Sequence, residues 1–303
     1  MDNIKELVSI RNIEERSRGT IYFDIPKLDI PKGFCVALIG ENGAGKSTLI
    51  KMLTGIRIPQ RGSITYNLKD FKMDNVKNEI SYVSSDNYFL EKWTIKSFGE
   101  ANTIMYDSFS MDKFIKLCSD FGIEDVDKKI NELSDGMKMK ISLAAAFARD
   151  TKILILDEPA SSLDPLTRET LCSMMSAYIA DGEGERSIIF STHNIPDTAA
   201  ITDYSIIMEG GHVIEKGFSE ELLDKYVLIS GNKTAAIKAE KHLIGFEENN
   251  TGFTGICPLD RLSNLSELDI ITERPTLTQL SIAIIKDAKS PLQSLIIRRL
   301  KND

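Results

Sequence analysis

Gly40-Glu41-Asn42-Gly43-Ala44-Gly45-Lys46-Ser47-Thr48 stands directly after the apolar run of residues 34–39 and before Leu49, Ile50, Met52 and Leu53. The pattern G-x-x-x-x-G-K-[ST], set between a strand-like and a helix-like segment, predicts a phosphate-binding loop. Glycine reaches backbone conformations closed to other residues, so successive N–H groups can turn inward and line an anion cradle. A helix N-terminus behind the loop adds partial positive charge. The expected nucleotide contacts are therefore Gly40, Asn42, Gly43, Ala44, Gly45, Lys46, Ser47 and Thr48. Lys46 is placed to reach the β- and γ-phosphates, and the Ser47 hydroxyl to bind Mg²⁺.

Working outward, residues 7–13 and 20–30 alternate or cluster β-favouring side chains, with Pro26 and Pro31-Lys32-Gly33 as punctuation; they predict two antiparallel strands leading into a buried strand at 34–39. Further strands are expected at 62–66, 80–83, 153–156, 187–190 and 205–208. The run Ile153-Leu154-Ile155-Leu156 is apolar throughout, as a parallel strand covered on both faces requires. Between residues 93 and 149 the periodicity is helical. Phe109, Phe114, Leu117, Cys118 and Phe121 recur at three- and four-residue intervals, which marks a core stripe. Strands alternating with helices imply an α/β domain around a mainly parallel sheet, with a helical subdomain inserted at about residues 88–150. Beyond Gly217 the pattern changes to helices at 220–225, 235–243 and 276–286 and strands at 226–229, 252–257 and 268–273. This predicts an α/β domain over residues 1–219 and a small α+β appendage over 220–303, ending in an amphipathic basic helix from Ser290.

Composition narrows the class. With 303 residues, 42% hydrophobic and 27% charged, the chain has enough apolar material for a sizeable core. A formal charge of −8 argues against a nucleic-acid partner, which would want a basic surface. Cys35, Cys118, Cys172 and Cys257 are far apart and read as small buried hydrophobes of a reducing compartment. The N-terminus lacks the pattern of a secretory signal, and no apolar run nears the roughly 20 residues that cross a bilayer. Any membrane part is expected to come from another chain.

Four further stretches bear chemistry. The strand at 153–156 ends in Asp157 and Glu158: the first suits a Mg²⁺ shell through water, the second a general base that polarises the attacking water. Leu133-Ser134-Asp135-Gly136-Met137 precedes a helix, where a hydroxyl and backbone N–H groups can meet a phosphate. Ser161-Ser162-Leu163-Asp164 follows the carboxylate pair. His193 stands just past another apolar strand.

In this order the five stretches resemble the nucleotide-binding subunit of an ABC transporter, over roughly residues 5–220. The resemblance implies Walker A at 40–48, Walker B at 153–158, the signature motif at 133–137, the D-loop at 161–164 and the switch histidine at His193, which grips the γ-phosphate. It implies ATP and Mg²⁺ as ligands and a head-to-tail dimer, homodimer or related heterodimer. Each ATP would lie between one subunit's P-loop and the Ser134, Gly136 and Asp164 region of the second ATPase subunit. It also implies an integral-membrane permease partner and a cytoplasmic, peripheral place on the inner face of the membrane.

Departures from the pattern carry their own expectations. The signature has Asp135 and Met137 where Gly and Gln are usual, and the run 133–140 resembles bacterial exporters of peptides, antibiotics such as bacitracin, bacteriocin-like compounds and phenol-soluble modulins. The register of residues 80–84 puts Ser85, with Asp86 beside it, at the Q-loop glutamine that reaches Mg²⁺. The base-stacking tyrosine falls near Ser17, so Arg18 or Arg16 would hold adenine, and weakly. The expected function is an ATPase powering an exporter of peptides or antibiotic-like compounds. The alternative is an ATP-dependent regulatory or sensing module of the same family with little or no transport role.

Overall fold

The computed structural model describes residues 4–68, 76–86, 89–90 and 92–289. Two long strands, β1 (Glu6–Ser17) and β2 (Thr20–Pro31), form an antiparallel hairpin, and β4 (Arg61–Tyr66) adds to the outer side of β1. The hairpin feeds β3 (Cys35–Ile39), buried at every position. Parallel to β3 run β7 (Ser187–Thr192) and β8 (Tyr204–Glu209) on its two sides, followed outward from β7 by β6 (Ile153–Leu156) and β5 (Ile80–Val83). One more strand, β9 (His212–Phe218), pairs antiparallel with β8 and meets β2 at Asp24 and His212. Among the described residues the order is β4-β1-β2-β9-β8-β3-β7-β6-β5.

The apolar runs follow from burial on both faces. In β3, Cys35, Ala37 and Ile39 face one core while Val36 and Leu38 face the other; β6 divides its residues in the same way. The second core is covered by α1 (Lys46–Leu53), through Leu49, Ile50, Met52 and Leu53, and by the hairpin. The first core is covered by α3 (Ile95–Met105), α4 (Met111–Asp120), α5 (Asp135–Phe147) and α6 (Pro165–Ala180). A short α2 (Val76–Glu79) precedes β5. The aromatic stripe of the helical segment lies inside: Phe114 and Cys118 are fully buried, each large apolar side chain of this kind contributing about 1.5–3 kcal/mol. The expected α/β layering around a parallel sheet is the observed one.

From Ser219 the chain builds α7 (Ser219–Leu223), β10 (Tyr226–Asn232), α8 (Lys233–Ala239), β11 (Ile244–Glu248), β12 (Gly252–Pro258) and β13 (Ile270–Glu273). These strands make an antiparallel sheet in the order β11-β12-β10-β13. Ile229, Ala239, Phe253, Cys257 and Leu265 form its own small core. The last described element, α9 (Leu277–Lys289), returns to the main body, where Leu280, Ala283, Ile284 and Ile285 join the first core. It is clasped from outside by β11, because Gly245 brings its backbone so close that a Cβ would lie 2.5 Å from Ala283 Cα.

Three local features depart from expectation. β9 is half-buried throughout and carries no alternation; its signal is the Gly210-Gly211 turn, both at positive φ (55 and 82°), which suits a tight hairpin after β8. β11 is not expected from the sequence: its five residues, Ile244–Glu248, include Gly245 and end in two exposed glutamates, so they show no strand pattern. The helix expected at 235–243 starts and ends earlier, as α8, because Asn232 caps it by accepting from the Ala235 N–H at 3.2 Å, and a 3₁₀ turn follows at Glu240–His242. All four cysteines are free; three are buried, and Cys172 is partly exposed. The basic helix expected from Ser290 lies outside the described residues.

Candidate functional site

β3 delivers the chain into the glycine-rich loop at Gly40, where a Cβ would sit 2.6 Å from the Met208 carbonyl oxygen and 2.8 Å from Ala44 Cβ. Gly45 holds φ at +104°, with the Phe23 ring 2.9 Å from where its Cβ would be, so no other residue fits. Gly45 is also the N-cap of α1 and supplies no side-chain acceptor. The first N–H groups of that helix are therefore left for an external anion.

Lys46 is 5% exposed and folds back over the loop: its Nζ donates to the Gly40 carbonyl at 2.6 Å and the Glu41 carbonyl at 3.1 Å. The same Nζ lies 3.2 Å from Glu158 Oε1. That ion pair is not aligned as a hydrogen bond, so the buried Oε1 keeps an unfilled acceptor position. On the other side, His193 Nδ1 stands 2.7 Å from Glu158 Oε2. Glu158 itself has φ of +51°, unusual for a residue with a side chain; such strain persists only where the surroundings hold it.

The hold comes from Ser191, which is fully buried. Its Oγ accepts the Glu158 N–H at 2.8 Å and donates to Asp157 Oδ1 at 2.6 Å. Asp157 Oδ1 also receives the Ser47 hydroxyl at 3.1 Å. Ser47 and Asp157 thus offer hard oxygen ligands, which suits Mg²⁺, an ion that takes one or two protein oxygens and completes its shell with phosphates and water. Among the described residues no cluster of three or more His, Cys, Asp or Glu side chains could hold a metal, so an ion here would share its shell with a nucleotide.

These groups line one cavity of about 410 Å³, formed by Glu41, Asn42, Gly43, Gly45, Lys46, Ser47, Thr48, Ser85, Glu158, Ser161 and His193. Glu41 lines the cavity without a role expected from the sequence, and so does Ser161 of the expected D-loop; Ser191, behind the wall, carries no sequence signal. Other expected residues lie elsewhere. Arg18 is exposed in the turn between β1 and β2, with φ of +51°, and Arg16 is engaged by Glu14 at 2.6 Å. Ser134 caps α5, accepting the Met137 N–H at 3.3 Å. Gly136 packs on the loop before α6, where a Cβ would lie 2.8 Å from the Ser162 carbonyl. Asp164 caps α6: the Thr167 hydroxyl at 2.6 Å and its N–H at 3.0 Å, with Lys140 at 3.5 Å, hold its carboxyl down to about 2. Beside Ser84 and Asp86 a second cavity of about 300 Å³ opens, lined among others by Phe98, Met105, Tyr106 and Arg149.

A family profile described as ABC transporter matches residues 23–161. The methionine import ATP-binding protein MetN 2 of Acinetobacter baylyi is 32% identical over 231 residues, covering 71% of this chain and 67% of that protein. The chain belongs to the ABC transporter family. Within it, the lantibiotic transport ATP-binding protein SrtF of Streptococcus pyogenes is 27% identical over 229 residues, 73% of this chain and 98% of that protein. A solved structure of an ATP-binding subunit of an ABC transporter matches with a TM-score of 0.64 at 26% identity, over 72% of this chain and 92% of the other. This ABC chain is accordingly an ATP-binding, ATP-hydrolysing subunit. Among its described residues no helix is long and apolar enough to cross a membrane.

Proposed function

We propose that this ABC subunit hydrolyses ATP to power a separate membrane permease that exports peptides or antibiotic-like compounds, from the cytoplasmic face of the membrane. What carries the reading is the convergence of Lys46, Ser47, Glu158 and His193 on the cavity behind residues 40–48, with Asp157 bonded to Ser47 behind its wall. The exporter direction rests on the run 133–140 and on the lantibiotic relative; the methionine relative is an importer by name, so transport assays decide between them.

Glu158 stands between two cationic or polar partners, Oε1 at 3.2 Å from Lys46 Nζ and Oε2 at 2.7 Å from His193 Nδ1. A γ-phosphate competes for both partners, because an ammonium and an imidazole bind the more highly charged ligand. Glu158 is then released to accept a proton from the attacking water. With Nδ1 donating to a carboxylate, His193 can donate its second nitrogen to phosphate only when protonated; a neutral ring must give up Glu158 first. Mg²⁺, when bound, neutralises charge on the phosphates. Ser47 and Asp157 would hold it, with Ser85 on the same cavity wall.

Ser134, Gly136 and Asp164 are absent from the cavity lining of their own chain. In our reading they complete the site of a second subunit, so ATP is part of the dimer interface and hydrolysis loosens it. The groove beside Ser84 and Asp86, with Met105 (60% exposed) in its lining, is our candidate for the permease contact. The deciding experiment is Glu158→Gln: turnover should fall about 10²–10⁴-fold, the usual worth of a general base, while ATP binding persists and ATP shifts the protein to dimers in light scattering. Turnover within a few fold of wild type removes Glu158 from the mechanism.

A further inference from the structure

Lys289, the last residue of α9, reaches across to the phosphate loop. Its Nζ lies 2.6 Å from Glu41 Oε2 and 3.9 Å from Glu209 Oε1. Both carboxylates flank the nucleotide cavity. Glu41 lines it directly, and Glu209 ends β8 just before the turn whose Gly211 N–H donates to the Ala44 carbonyl at 3.0 Å. Burial pushes the Glu209 carboxyl up, Glu41 pushes it the same way, and Lys289 and Lys46 oppose them. Two carboxylates beside a site for a polyanion are a liability, and Lys289 is the group set between them.

We propose that Lys289 is a positioning residue: by pairing with Glu41 it neutralises the rim of the ATP site, and so lets the C-terminal α+β unit set nucleotide affinity. The lever is stiff. α9 is locked into the main core by Leu280, Ile284 and Ile285 and clasped by β11 at Gly245, and Lys286 pairs with Glu247 of that strand. A ligand or partner that shifts the C-terminal sheet would therefore withdraw Lys289 and weaken ATP binding. By linkage, bound ATP would favour the docked position of α9.

This rests on reading residues 40–48 as the ATP site, and the test separates the two. ATP binding is measured by calorimetry on the full chain carrying Glu158→Gln, so that ATP is not consumed, with Lys46→Ala as the control for the site itself. Lys289→Ala should weaken binding about two- to fivefold, the range of one exposed ion pair, with the loss shrinking at high salt. Lys289→Arg should keep most of the affinity. In a Glu41→Gln background the loss should shrink markedly, because only Glu209, 3.9 Å from the ammonium, remains to be neutralised, and the melting temperature without nucleotide should not move with Lys289→Ala. Unchanged affinity in Lys289→Ala, or an equal loss with Glu41→Gln present, overturns the proposal and leaves the ATP site standing. A parent that binds no ATP, or a Lys46→Ala variant that binds as well as the parent, overturns both.

Discussion

Ser191 bears none of the chemistry usually sought in a motif, yet it fixes the two residues that do. One hydroxyl holds Asp157 at 2.6 Å and takes the N–H of Glu158 at 2.8 Å, bracing the strained backbone at that position. Ser191→Ala leaves a buried N–H without its acceptor and Asp157 short of a donor. We expect a stability loss of about 1–3 kcal/mol in urea unfolding and a fall in kcat larger than any change in ATP affinity, since the phosphate loop is untouched. Asp157 and Glu158 were legible because carboxylates ending a solid apolar run stand out. Ser191 was not: a small polar residue inside a buried strand has no periodic signature, and its two partners lie 34 and 33 positions away.

Among elements, α6 shows how one residue serves both fold and site. Asp164 is its N-cap and Pro165 its first residue, a pairing suited to a helix start. The bonds from Thr167 favour the charged carboxylate and lower its pKa from the ordinary 3.8 to about 2. The stabilisation is therefore complete above about pH 4 and lost as pH falls through that interval toward 2. Asp164→Ala should lower the melting temperature at pH 7, and its gap from wild type should narrow as pH drops from 4 toward 3; a gap constant over that range refutes the capping role. The cap was not what the sequence suggested for Asp164, which was read by resemblance as a group facing a second subunit. Half-exposed in this chain, it is free to be both.

At the scale of the whole molecule, α9 makes the C-terminal unit part of the ATPase. Leu280 is fully buried in the core shared with β3, β6 and β7. Leu280→Ala should cost about 2–5 kcal/mol in a single cooperative urea transition, whereas an independent appendage would show a second transition and an undisturbed ATPase domain.

The sequence by itself determined the layered fold and singled out residues 40–48 as the candidate phosphate loop, because both signals are local. Strand burial on two faces writes continuous apolar runs, and an anion cradle needs glycines and a lysine at set spacing. It also placed Asp157, Glu158 and His193 at strand ends. The tertiary structure alone decided that Glu158 and His193 converge with Lys46 and Ser47 on one cavity, with Asp157 behind Ser47, and that Ser134, Gly136 and Asp164 do not line it. It alone brought Lys289 to Glu41 across 248 positions of chain. Such pairings depend on how one helix returns across a sheet, and no periodicity or motif records a contact between residues whose only relation is the packing of the elements that carry them.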